Sequence, residues 1–132
     1  MNRNEIGSPS WKSVMVTRHL PEKLSGLETL CKNLWWCWND NAKDLFKSID
    51  YNLWHKSGHN PMVILDRVSY KRYLALSQDE EFVARLDAVM QEFNSYMSKK
   101  SERTEPSVGY FCMEYGLDTS LKIYSGGLGI LA

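Results

Sequence analysis

The sequence is poor in the features that would place it outside the cell or inside a membrane. Cysteine is scarce: Cys31, Cys37 and Cys112 are odd in number and sit among apolar neighbours. That argues against the disulfide framework of a small secreted domain and for buried, reduced thiols in a cytoplasmic protein. Long apolar runs are missing, so no segment reads as a membrane span. The opening "MNRNEIGSPSWK" lacks the apolar stretch of a secretory signal. Charge of one sign is missing as well. Sixteen Lys and Arg balance sixteen Asp and Glu, so neither nucleic acid nor an anionic membrane is an expected partner. Internal repeats and low-complexity tracts are absent.

What is present reads as a folded chain. Hydrophobic residues make up 43% of the 132 positions and charged residues 24%, a globular rather than a disordered composition. The five tryptophans all lie between Trp11 and Trp54, so the first half is expected to build its own core.

The fold class expected is mainly α: an N-terminal helical bundle, followed by the first strand and glycine loop of a truncated α/β domain. Residues 1–19 form an extended lead-in, with a short strand plausible around Val14 and Val16. Residues 20–101 form the helical domain. Leu20, Leu24, Leu27, Cys31, Leu34, Trp35 and Trp38 recur at helical spacing, predicting one helix from Pro21 to Cys37. Asn39–Asn41 stop it and cap the next, which carries Leu45, Phe46 and Ile49 inward. Asp50 caps a short helix bearing Leu53 and Trp54, and Gly58 ends it. Pro61 opens another turn, and Tyr70–Leu76 is helical. Asp79 caps the longest pattern, with Phe82, Leu86, Val89, Phe93 and Tyr96 on one face up to about Met97.

Residues 102–107 hold Pro106 in a charged linker, the best domain boundary. Beyond it, Val108, Tyr110, Phe111, Cys112 and Met113 form a nearly continuous apolar run, the pattern of a buried parallel strand. Residues 108–132 thus start a second domain.

The chemistry is expected near the end of the chain, in "IYSGGLGILA". A strand, a glycine turn and a helix start together point backbone amides at one spot, and glycines let an anion come close to them. The donors would be Gly126, Gly127 and Leu128. Anion binding and a tight turn needing positive φ both fit. The spacing is neither a Walker A loop nor the dinucleotide fingerprint. Glu114, at the carboxyl end of the strand, either faces a ligand crevice or is a solvated or paired loop carboxylate.

Other motifs carry less. "NLWWCW" invites sugar stacking, but Leu34, Trp35 and Trp38 continue the helical stripe into the core, leaving Trp36 as the indole expected to face elsewhere. His55 and His59 have metal-ligand spacing, yet Gly58 between them should end the helix. His59-Asn60-Pro61 is read as a capping turn, and no metal is expected. No Ser-His-Asp or Cys-His constellation can be assembled.

Two segments go beyond composition. Leu20 to Leu65, with "NLWW.W" and "LW..SGHNP", resembles the extra N-terminal helical domain of bacterial and archaeal α-glucan (glycogen/maltodextrin) phosphorylases. Tyr110 to Ala132, with "Y.ME.GL....IYSGGLG.LA", resembles the first strand and glycine loop of the same family's catalytic domain. The resemblance implies a Rossmann-like GT-B architecture and reversible phosphorolysis of α-1,4-glucan to α-glucose 1-phosphate. It implies pyridoxal phosphate on a lysine of a C-terminal domain outside this sequence, with the cofactor's phosphate group assisting proton transfer.

By resemblance, Gly126, Gly127 and Leu128 supply the amides that contact phosphate and the glucosyl group. Gly129 lets the next helix approach closely, and Glu114 lies near the cleft. Cys112 and Tyr115 depart from the Ser and Phe common at those places. Phosphorolysis needs groups from both sides of a cleft, so the fragment alone is expected to be inactive, and its unpaired strand to promote self-association. The alternatives are a fragment of a glycogen or starch synthase, which usually carries lysine where this chain has Tyr124, and a non-enzymatic helical interaction or glucan-binding module.

Overall fold

A computed structural model describes residues 19–99, 108–109, 111 and 116–121. A 3-10 turn over Glu22–Leu24 leads into α1, Gly26–Cys31. Short polar side chains then decide where each later helix begins. Asn39 Oδ1 accepts from the Ala42 amide at 2.9 Å and opens α2, Asp40–Ile49. Asp50 Oδ1 accepts from the Leu53 amide at 2.8 Å and opens α3, Tyr51–Lys56. Asn60 serves both the Met62 and Val63 amides of α4, Pro61–Arg67, whose first residue needs no amide partner. Ser69 caps α5, Tyr70–Gln78, and Asp79 caps α6, Glu80–Met97. Each cap occupies amides that the helix itself leaves open.

The single helix expected from Pro21 to Cys37 is instead three pieces. α1 ends at Cys31, and a 3-10 helix restarts at Leu34–Trp38 after Asn33, whose side chain accepts from the Trp35 amide at 2.9 Å. A fresh start with three residues per turn breaks the stripe carried by Leu27 and Cys31. Trp35 and Trp36 are buried, while Trp38 is 57% exposed. The expected roles of Trp36 and Trp38 are therefore exchanged.

α6, at 18 residues the longest element described, is the mast of the bundle. α1, α2 and α5 pack on it, and α4 joins α1, α2 and α3. Phe82, Leu86, Val89 and Phe93 face the core as expected, whereas Tyr96 is 49% exposed because the last turn runs past the end of the bundle. Gly26 permits the closest approach. A Cβ there would lie 2.9 Å from Met90 Cγ on α6, inside any real contact distance, so α1 needs a residue without a side chain at this crossing.

The centre is aromatic. Phe46 of α2 is fully buried, stacked on Trp54 of α3 (centroids 6.5 Å, 7° between planes) and edge-on to Trp36 (6.4 Å, 80°). Trp36 and Trp54 themselves meet edge to face at 6.3 Å. Leu24, Leu27, Leu30, Leu45, Ile49 and Ile64 complete the core with almost no exposure. Among the described residues, no buried side-chain nitrogen or oxygen lacks a hydrogen-bond partner.

Polar struts tie the helices at the rim. Arg72 Nε and Nη2 donate to the Ile49 and Ser48 carbonyls at 2.9 and 3.0 Å, closing the last turn of α2 from α5. Tyr73 Oη donates to the Leu65 carbonyl at 2.7 Å. Asn39 and Asn41 Nδ2 donate to the two carboxylate oxygens of Glu92 on α6, at 3.1 and 3.3 Å. The salt bridges Lys43–Asp40 and Lys47–Asp44 are exposed and add little.

The doubled role of Asn39 gives a prediction. Asn39→Ala loses the cap of α2 and one of the Glu92 struts, and is expected to cost about 1–2 kcal/mol in urea denaturation. Asn41→Ala loses only an exposed contact and should stay within about 0.5 kcal/mol of the parent.

Val108, Gly109 and Phe111 are not in a strand, and Val108 and Phe111 are 91% and 96% exposed rather than buried. No strand among the described residues is present to pair with them, so nothing covers their side chains. In residues 116–121, the Asp118 carboxylate accepts from the Ser120 amide at 2.9 Å and forms a local turn. The lead-in with Val14 and Val16, the linker with Pro106, and Tyr110, Cys112, Met113 and Tyr115 lie outside the described residues.

Candidate functional site

Of the residues that the sequence singles out for chemistry, Glu114, Gly126, Gly127, Leu128 and Gly129 all lie outside the described residues, as does Tyr124. The site geometry available is that of the helical domain and of the turn at residues 116–121.

His55 and His59 do come together, by a route other than one helix. α3 ends at Lys56, and Gly58 and His59 both take left-handed conformations, φ 67° and 63°. That turn swings His59 back so that its Nε2 lies 3.2 Å from His55 Nδ1, one ring donating and the other accepting. The His59 ring also rests against Trp54, and Tyr51 meets the edge of His55. Asn60 performs the capping expected of the His59-Asn60-Pro61 turn. The pair opens onto a pocket of about 340 Å³ that also reaches Lys43, Lys47 and Asp118. Among the described residues, no three His, Cys, Asp or Glu side chains are grouped to hold a metal ion.

Cys31 and Cys37 are buried, free thiols. Burial pushes both above the ordinary value near 9.0; the Asp118 carboxylate adds to the effect at Cys37, and that of Glu28 does so at Cys31. A thiol raised in the folded state favours folding most below the unfolded value, and this contribution is lost as pH rises through the folded one. The loss therefore falls above about pH 9. At neutral pH both are protonated and poorly nucleophilic. Native protein should react with an aromatic disulfide reagent at Cys31 and Cys37 at least about tenfold more slowly than urea-unfolded protein, measured by release of the chromophoric thiol.

A second concavity runs along α6 where it passes the start of α2. Its two ends share Ala88 and Glu92; one end reaches Asn41 and Arg85, the other Tyr96 and Ser95. The Glu92 carboxylate, held by two amides, lies where the two ends join. The exposed Trp38 adjoins Asn39 in sequence. Sequence reasoning missed this surface because it assigned Trp38 and Tyr96 to the core. The signal available was Asn33, a capping residue in the middle of an otherwise unbroken helical pattern.

No helix among the described residues is long and apolar enough to cross a membrane. Residues 20–121 match the family described as "Protein of unknown function (DUF3417)". The chain is 37% identical to the glycogen phosphorylase of Mycobacterium tuberculosis over 129 residues, which covers 89% of this chain and 15% of that protein. It is 42% identical to the maltodextrin phosphorylase of Thermococcus litoralis over 120 residues, 86% of this chain and 14% of that protein. A glycogen phosphorylase of Aquifex aeolicus is 39% identical over 110 residues, 81% of this chain and 16% of that protein. The chain thus spans between 14% and 16% of the length of these relatives. No solved structure matches it.

Proposed function

Since this chain belongs to the DUF3417 family and aligns over most of its length with glycogen and maltodextrin phosphorylases, we propose that it is the N-terminal part of an α-glucan phosphorylase. The parent takes α-1,4-glucan and orthophosphate to α-glucose 1-phosphate, reversibly. One observation carries the reading: identity of 37–42% runs through 81–89% of the chain, in relatives whose names share one reaction.

The role of each part follows from its chemistry. The helical domain, with an aromatic centre closed to solvent, is scaffold to the catalytic parts. The loop at Gly126, Gly127 and Leu128 presents main-chain amides to an oxyanion of the sugar phosphate, and Gly129 brings the next helix close. Amide donors fixed before the reaction stabilise developing negative charge without reorganising. Glu114 lies at the edge of the same cleft. Pyridoxal phosphate belongs to a lysine outside this chain and supplies an acid–base phosphate group there; no residue of this chain is assigned to it. The chain alone has one side of the cleft and is inactive. The compartment is the cytoplasm, in keeping with reduced cysteines.

The test uses the longer parent polypeptide, given maltodextrin with orthophosphate and, separately, glucan primer with ADP-glucose. Release of α-glucose 1-phosphate is expected in the first assay, and no chain extension in the second. Extension from ADP-glucose without phosphorolysis would make the parent a synthase and overturn the proposal.

A further inference from the structure

The surface between the start of α2 and the last turns of α6 has features that the scaffold role does not use. Glu92 is an exposed carboxylate fixed by two side-chain amides, one on each oxygen. No printed cation approaches it: the salt bridges of the described residues are Lys43–Asp40 and Lys47–Asp44. Asn39 Oδ1 is committed to the cap of α2, so its amide group is locked in orientation and locks Glu92 in turn. Each carboxylate oxygen keeps a lone pair for another donor.

One turn along α6, Tyr96 is about half exposed, held against the buried Trp35 at 6.4 Å. It lines the same groove as Glu92, with Gln91 and Ser95 beside it. The groove at this end measures about 560 Å³ and continues past Glu92 to Asn41 and Arg85. A fixed carboxylate suits vicinal hydroxyls, which it can bind pairwise, and a supported aromatic ring suits the apolar C–H face of a pyranose. Amides and a hydroxyl around them add donors and acceptors without net charge, as a neutral polyol requires. An open, elongated shape suits a chain of sugar units rather than one.

We propose that this groove is a holding site for α-1,4-glucan, separate from the cleft where the bond is broken. Glu92, oriented by Asn39 and Asn41, accepts from sugar hydroxyls, and Tyr96 is the stacking platform. The ligand class rests on the phosphorylase reading above. The exposed Trp38, next to Asn39, supplies a reporter of occupancy at this end of the bundle.

The complete 132-residue chain is titrated with maltoheptaose, following tryptophan fluorescence and, in parallel, the heat of binding. A saturable response is expected below about 10 mM, and cellohexaose, with the same units in β-1,4 linkage, should bind at least about fivefold more weakly. Tyr96→Ala and Glu92→Gln should each weaken maltoheptaose about tenfold, with circular dichroism showing that both remain helical. No saturable response by either method overturns the proposal. So does binding that both variants leave unchanged, or equal binding of cellohexaose; the groove is then a seat for protein. The two readings fail separately. A parent that phosphorolyses glucan while this chain binds none leaves the function standing and removes the holding site. Binding without phosphorolysis in the parent does the reverse.

Discussion

Phe46→Ala is expected to cost about 3–5 kcal/mol, the range for deleting a large buried aromatic. Phe46 is wholly buried and touches two indoles at once, Trp54 face to face and Trp36 at its edge. Those rings are themselves anchored, Trp36 in the 3-10 turn and Trp54 in α3, so the site cannot collapse to fill the void. Domains of this size have about 5–15 kcal/mol in hand, so the variant would lose much of its stability. Urea denaturation followed by circular dichroism would show a midpoint shifted far toward zero. Phe46→Leu, which keeps most of the volume, should cost roughly 1.5 kcal/mol. Trp38→Ala, at a position 57% exposed, should fall within about 1 kcal/mol of the parent. A loss as large for Trp38→Ala as for Phe46→Ala would contradict the assignment of core and surface indoles.

The second large effect is on catalysis and depends on the phosphorylase reading. In the longer polypeptide, Gly127→Val should lower turnover about 10²–10³-fold, the range for removing one preorganised oxyanion donor. A branched side chain at this glycine would hold the sugar phosphate away from the amides. Because the donors act on charge that develops as the bond breaks, kcat should fall far more than glucan KM changes. Gly129→Ala, by contrast, should act through helix approach and show itself in thermal stability. A Gly127→Val enzyme within threefold of the parent, by release of α-glucose 1-phosphate, would reduce the loop to a simple turn.

Much of the bundle was legible because its boundaries are local. Asn39, Asp50, Asn60 and Asp79 are short polar residues placed just before apolar periodicity, and each caps a helix. The inward face of α6 was legible for the same reason, since one long helix averages over many turns. The region from Lys32 to Trp38 was not. Its leucines and tryptophans satisfy a 3.6-residue period on paper, while Asn33 resets the count and the turn tightens. A change of less than one residue per turn was enough to bury Trp36 and expose Trp38. The meeting of His55 and His59 was half legible: Gly58 predicted the end of the helix, but nothing in the spacing told that His59 would adopt a left-handed backbone and return. The glycine loop and Glu114 were read from motif and resemblance alone.

Helices opened by their own neighbours need little help from distant segments to take shape. Five of the six described here start on a side chain one to four residues from the amides it satisfies, and such short-range closure favours rapid assembly. In a polypeptide as long as these relatives, this region would leave the ribosome first. It would already stand as a finished unit while the catalytic halves were still being synthesised. Nascent chains arrested just beyond the bundle should therefore resist protease across residues 20–99.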